Sequence, residues 1–352
     1  MRARARRFSL ALVLLALLGA GSTAPGQDVG STGGRLVLRG AGATFPAPLY
    51  ERWIQAFQRT DPTVAITYEP VGSGEGQRRF LEGSLDFGAS DAALTDEQMR
   101  RARSGAVLVP ATAGLVVLAY NLPGLGGPLR LGRDLPAEIF AGRIRTWSDP
   151  RLRDSNPGLH LPNRSIAVVA RQDSSGTTFA LTNHLSAVSA DWRDRGPGVG
   201  TLVDWRGAVM LARGNEGVAA RIKVSEDSIG YVEYHFARRL GLPMAELQNR
   251  AGRYVAPSER SGQAALAGNV GQVPSNLRLF LPDPEGEESY PIVTLTWLLL
   301  HERAPDKARA AALTRFVTWG LTEGQAFSRD LGYIPLPPEI VGLSRAAVER
   351  VR

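Results

Sequence analysis

The pattern that most constrains this chain is a repeated alternation. Several short apolar runs, among them residues 36–38, 64–68, 115–120, 166–170, 229–232 and 292–300, end in turn residues and lead into amphipathic stretches. Most of the runs lack a strict polar–apolar alternation, which suits strands covered on both faces. Between them, Leu49, Trp53, Ala56 and Phe57 share one helical face, and Leu181, Leu185 and Val188 share another. Strands that alternate with helices predict an α/β fold with mostly parallel sheets. With 352 residues and 43% hydrophobic content, the chain has more than one domain usually needs, so two lobes are expected. The segment 111–120, followed by NLPGLGG, reads as a passage into a second lobe, and GRYVAPSERSG at 252–262 as a passage back. Residues 30–112 and 258–352 would then form a discontinuous first lobe and residues 113–257 the second. Two crossing strands would make the hinge.

Residues 1–26 have the anatomy of a signal peptide. Arg2, Arg4, Arg6 and Arg7 precede an apolar run from 8 to 18, and small residues follow. The run is short for a membrane span, although an uncleaved anchor is the competing reading. YPIVTLTWLLLHE is also short and bounded by polar residues, so it reads as a core strand. Without the four leader arginines the formal charge falls from +7 to +3, so the basic balance belongs partly to the leader. No run of basic residues with interleaved aromatics follows, which argues against a nucleic-acid groove. The absence of cysteine means an exported chain without disulfides, and without the cysteine a lipid anchor needs. A soluble, extracytoplasmic monomer is the expectation.

Three turns share one design. GAGATFPAPLYERW puts Thr44 ahead of Phe45 and Pro46, VGSGEGQRRFLEG puts Ser73 among glycines, and DSSGTTFALTNHL puts Ser175, Gly176 and Thr177 at a helix start. Thr44 reads as an N-cap with proline in the first turn. Each turn leaves free N–H groups and a hydroxyl at a positive helix end, which suits an anion. Ordinary capping is the better explanation of any one of them alone. It is the three together, each with glycines that let backbone approach a ligand, that favour an anion site. Arg171 follows an apolar strand just ahead of the third turn, and its planar fork suits a tetrahedral oxyanion. Asp91 ends LDFGASD. A carboxylate beside an anion makes sense when the anion carries a proton, as phosphate does and sulfate does not at neutral pH. The bland reading of Asp91 is a cap for the next helix, ahead of AALTDEQ.

GAGATFPAPLY, VGSGEG, DFGASD, VVARQDSSGTT, GNEGVA and SIGYVEY, with FAGRIRTWSDP and NPGLHLP between them, resemble the motifs of the phosphate-binding proteins of ABC-type phosphate importers. They recur in that family's order across nearly all of the chain after the leader. The resemblance implies a two-lobed periplasmic-binding-protein fold of type II, with two mixed sheets flanked by helices. It implies that the chain binds inorganic phosphate and passes it to a membrane permease served by a separate ATPase. Carried over position by position, the phosphate ligands fall on Thr44, Phe45 (through its N–H), Ser73, Asp91, Arg171, Asp173, Ser175, Gly176 and Thr177, with Asp173 orienting Arg171. No cofactor or metal is implied. Two residues depart from the pattern. Ser174 stands where glycine is common, and Glu75 in a loop of small residues, where it is expected to face solvent.

Two other classes compete. A hydrolase would use Ser175 or Ser73, but VGSGEG is not G-x-S-x-G, and a base would have to come from His160, His184, His235 or His301. His184 reads as a surface residue. A P-loop and an H-E-x-x-H zinc pair are both absent. An exported anion-binding sensor or scaffold without a transport role needs the same pocket as an importer.

Overall fold

The computed structural model describes residues 34–352, so the leader assigned to residues 1–26 lies outside the described residues. The strands are β1 (Leu36–Gly42), β2 (Val64–Glu69), β3 (Phe87–Ser90), β4 (Ala106–Asn121), β5 (Arg130–Leu131), β6 (Ala167–Arg171), β7 (Val209–Ala212), β8 (Ser228–Glu233), β9 (Glu246–Gln248), β10 (Tyr254–Val255) and β11 (Val293–His301). Eight of them form one sheet in the order β2-β1-β3-β11-β4-β8-β6-β7, and β10, β9 and β5 form a small second one. Within the large sheet β1, β2 and β3 are parallel to one another, as are β6, β7 and β8. The antiparallel pairings of this sheet all involve β4 or β11.

The two mixed sheets of the expected fold are thus joined through β4. This strand has 16 residues and is buried along almost its whole length, which is why its sequence, AVLVPATAGLVVLAYN, barely alternates. Its first part pairs with β11 as far as Leu115, and from Val116 it pairs with β8. One strand therefore spans both halves of the sheet. The return passage is different in kind. β10 belongs to the small sheet, and after three intervening residues the chain enters the helix Glu259–Ala267. YPIVTLTWLLLHE supplies β11, a central strand as its composition indicates.

The helices cover the sheet with the faces their spacing predicts. Leu49, Trp53, Ala56 and Phe57 of the helix Ala47–Thr60 are buried, and the Trp53 Nε1–H donates to the Gly324 carbonyl at 2.8 Å. Leu181 and Leu185 are buried on the helix Gly176–Val188, and Val188 is half-buried. His184 of that helix is a correction: it is only 2% exposed. Its Nδ1 lies 2.6 Å from the Pro282 carbonyl, so that nitrogen carries the proton. The segment around Pro282 covers the helix, with Phe280 packed between Phe179 and Trp297. Burial holds the His184 pKa down, to about 4. A long-range contact of this sort leaves no local trace in the sequence.

Capping is also partly different. Pro46, not Thr44, is the N-cap of the helix Ala47–Thr60. Ser175 does cap its helix, accepting the Thr178 N–H. Thr95 caps Asp96–Arg101 in a capping box with Gln98, so that helix makes no use of Asp91. Among the described residues no helix is long and apolar enough to cross a membrane.

The helix Ser73–Leu81 sits almost on the backbone of β1. A Cβ on Gly76 would lie 2.4 Å from the Gly42 Cα and 2.9 Å from the Ala41 carbonyl oxygen. Neither backbone atom can rotate away. Gly76→Ala is therefore expected to destabilise the fold by about 1–3 kcal/mol, measured by denaturant unfolding. An unchanged midpoint would show that the helix can shift outward without penalty.

Candidate functional site

The three hydroxyl-bearing turns meet because of strand direction. Thr44 and Phe45 follow β1, Ser73 follows β2, Asp91 follows β3, and the segment 172–177 follows β6. Within each half, parallel strands put their carboxyl ends at one edge, and because β6 runs opposite to β1, β2 and β3 the two edges face each other. The halves meet across that crevice and touch. The Gly176 N–H donates to Ser73 Oγ at 3.1 Å, and the Gly74 N–H to the Ser174 carbonyl at 3.1 Å. A Cβ on Gly176 would lie 2.5 Å from the Asp91 Cβ and 2.6 Å from Ser73 Oγ, so only glycine permits this approach.

Each of the nine residues singled out from the sequence lies at or beside this junction. Ser73, Asp91, Arg171, Ser175 and Thr177 are at most 3% exposed, and Phe45 is fully buried. Thr44 is at the edge, where it also lines a cavity of about 1030 Å³. Phe45 packs on Tyr333, whose hydroxyl donates to the Phe45 carbonyl at 2.7 Å.

Arg171 is held as expected. Its Nε–H donates to Asp173 Oδ1 at 2.9 Å, and its Nη2 bonds Asp173 Oδ2. The remaining terminal nitrogen, Nη1, lies 3.4 Å from Thr177 Oγ1. Asp173 also accepts the Gly214 N–H at 3.0 Å. Burial alone would raise the Asp173 carboxyl, but Arg171 and the Gly214 N–H bring it below its usual range. The guanidinium is thus fixed by one carboxylate with a nitrogen left over.

Asp91 is 1% exposed and lacks a cationic partner of its own. Its Oδ1 accepts the Thr296 hydroxyl at 2.7 Å. Burial pushes its pKa up to about 7, opposed by the Thr296 hydroxyl, the charge of Arg171 and the Ser73 hydroxyl. The site therefore pairs a fixed cation with a carboxylate that holds its charge reluctantly.

Glu75 is a third exposed and is turned to Arg78 and Arg79 on the same helix. Hydrogen bonds from these two arginines lower its pKa to about 2. Its charge is thereby balanced at the surface. Ser174 Oγ donates to Thr201 Oγ1 at 2.9 Å and fits over Gly74, where a Cβ would come within 2.1 Å of it. The extra hydroxyl is accommodated by a glycine opposite.

Two site residues were not found from the sequence. Thr296 sits inside an apolar strand run, VTLTWLLLH, and gives no local signal. Asn215 belongs to GNEGVA, a motif noted above without a role for any of its residues. It is fully buried and bonds both Thr44 and Thr177.

Nothing here is arranged for nucleophilic attack. Ser175 Oγ accepts the Thr178 N–H as a cap. His184 faces Pro282, His235 Nδ1 lies 2.8 Å from the Leu331 carbonyl, and His301 Nε2 lies 3.0 Å from the Leu85 carbonyl. Among the described residues no group of His, Cys, Asp and Glu could hold a metal ion.

Comparison with known proteins agrees with this geometry. The profile of the PBP superfamily domain matches residues 21–323. The phosphate-binding protein PstS of Pasteurella multocida is 37% identical over 305 residues, covering 86% of this chain and 87% of its own. The phosphate-binding protein PstS of Haemophilus influenzae is likewise 37% identical over 305 residues, covering 86% and 90%. Among solved structures, a phosphate-binding protein from Stenotrophomonas maltophilia superposes with a TM-score of 0.71 at 21% identity, covering 88% of this chain and 93% of that one. That likeness shows the shared fold. The chain belongs to the PstS family of phosphate-binding proteins, within the PBP superfamily.

Proposed function

We propose that this protein binds inorganic phosphate outside the cytoplasm, in the periplasm or its equivalent, and delivers it to the membrane permease of an ABC-type phosphate importer. It makes and breaks no bond. One observation carries the reading: Asp91, a buried carboxylate, shares a closed junction with Arg171 and with hydroxyl and N–H donors from both halves of the sheet. Proteins of the same family and fold are named for phosphate, and a related structure from Clostridium perfringens holds it.

The ligand set is Thr44, Phe45, Ser73, Asp91, Arg171, Asp173, Ser175, Gly176 and Thr177, with Asp173 acting through Arg171. A buried oxyanion is costly unless its oxygens all find partners. Neutral donors and one guanidinium meet most of that need, and Asp91 accepts the proton of the phosphate. Sulfate brings no proton and would set two bare charges together, so it is rejected. We divide the chain into lobes at residues 30–112 with 258–352 and 113–257. Rocking of one against the other about β4 would admit and release the anion. Docking on the permease would favour the open state, since release requires differential binding of that state.

Two substitutions test the assignment by calorimetric titration. Arg171→Ala removes, among the described residues, the cation in contact with the donors and leaves Asp173 without its charged partner. It is expected to weaken phosphate binding by about 3 kcal/mol, roughly a hundredfold in Kd. Near-normal affinity would falsify the role given to Arg171.

Asp91→Asn replaces the acceptor with a group that can also donate. Discrimination of phosphate over sulfate is expected to fall by about tenfold or more. The same loss is expected in the wild type as the pH drops through about 7, because a carboxyl with a raised pKa takes up its proton there and gains a hydrogen to donate. Selectivity that ignores both changes would place the rejection of sulfate elsewhere.

A further inference from the structure

Asn215 opens the helix Gly214–Val224, and all of its side-chain polar atoms are engaged. Its Oδ1 accepts the Glu233 N–H at 3.0 Å. This settles which end of the amide is oxygen, because a backbone N–H can only donate. The Nδ2 end therefore faces the junction. It donates to Thr44 Oγ1 at 3.0 Å and to Thr177 Oγ1 at 3.2 Å. The Asn215 backbone N–H reaches Thr44 Oγ1 as well, at 3.2 Å. Thr44 follows β1 and Thr177 follows β6, so a single side chain ties the two halves together.

The consequence concerns protons. A hydroxyl oxygen has two lone pairs and one hydrogen. Thr44 Oγ1 already accepts two N–H groups, both from Asn215. Thr177 Oγ1 accepts one from Asn215 and one from Arg171 Nη1. Each hydroxyl then has only its hydrogen left to offer. We propose that Asn215 is a positioning residue that sets specificity: it forces Thr44 and Thr177 to act as donors to the bound oxyanion, leaving Asp91 as the acceptor for the anion's proton. This rests on the phosphate reading above. With Asn215 gone, either hydroxyl can turn round and accept, and the site no longer counts the anion's hydrogens.

The test is calorimetric titration with inorganic phosphate of the wild type, Asn215→Ala and Asn215→Asp, at about pH 8 and about pH 5. Ligand-free unfolding midpoints are measured alongside. A carboxylate at this position accepts where the amide donated, so it draws both hydroxyls away from the anion. Asn215→Asp is expected to lose on the order of a hundredfold in affinity at the higher pH, and Asn215→Ala clearly less. At the lower pH the new carboxyl is protonated and donates again. Part of the loss should then return, relative to the wild type at the same pH, which shares Asp91, Asp173, Glu233 and Arg171 with the variant and so corrects for their own titration.

A purely structural role predicts equal losses in both variants that follow the unfolding midpoint and ignore pH, and that result overturns the proposal. If Asn215→Asp does not fold, a double-mutant cycle of Asn215→Ala with Thr44→Val decides. Non-additive losses support the proposal and additive losses overturn it. A wild type that binds no phosphate overturns the parent reading as well. Variants that bind as well as the wild type overturn only the part given to Asn215.

Discussion

Asp91 lies at the junction between the two halves of the sheet, and almost no water reaches it. Burial works against its charge, and Arg171 and two hydroxyls work for it. A carboxylate in that position repels any ligand made only of acceptors. It becomes an asset only when the ligand supplies a hydrogen, and this condition explains the rest of the junction. The guanidinium of Arg171 cannot be allowed to swing onto Asp91 and cancel it. Asp173 holds it by Nε and Nη2, which leaves Nη1 beside Thr177. The remaining partners are neutral, so the site gathers donors without piling up positive charge that would attract every dianion alike.

The scaffold makes this possible by geometry. Turns distant in sequence reach one point because β1, β2 and β3 in one half and β6 in the other run in opposite directions and end facing the same junction. β4 carries the backbone through both halves and changes partner between Leu115 and Val116. A strand so deeply buried resists local unfolding, yet relative rotation of the halves asks it only for a change of twist. The contacts that bridge the halves at the site itself are polar. Gly176 to Ser73, Gly74 to Ser174 and Asn215 to Thr44 are hydrogen bonds between small groups, while Phe280, packed on Phe179 and Trp297, adds an apolar contact away from it.

Much of this was legible in the sequence, and for identifiable reasons. Strand and helix alternation gave the α/β class, since short apolar runs without alternation, bounded by turn residues, favour strands covered on both faces. The helical face of Leu49, Trp53, Ala56 and Phe57 was visible because burial repeats with the helical period. The turns carrying Ser73 and Ser175 could be read as donor clusters, but physics alone could not bring them together; the order of the family's motifs did. Thr44 misled as a cap because a threonine before proline resembles one, whereas its oxygen is taken by Asn215. His184 misled because the chain that covers it lies about a hundred residues further on. Thr296 was invisible, being a lone hydroxyl inside an apolar strand whose partner, Asp91, is 205 positions away.

The central claim is that the junction recognises an oxyanion by the hydrogen it carries. Calorimetric titration of the wild-type protein with phosphate and then sulfate, at matched ionic strength and at a pH above the Asp91 transition, tests it most directly. Saturating one-to-one binding of phosphate with no resolvable sulfate heat is the predicted result. Sulfate binding of comparable strength under those conditions would contradict the account.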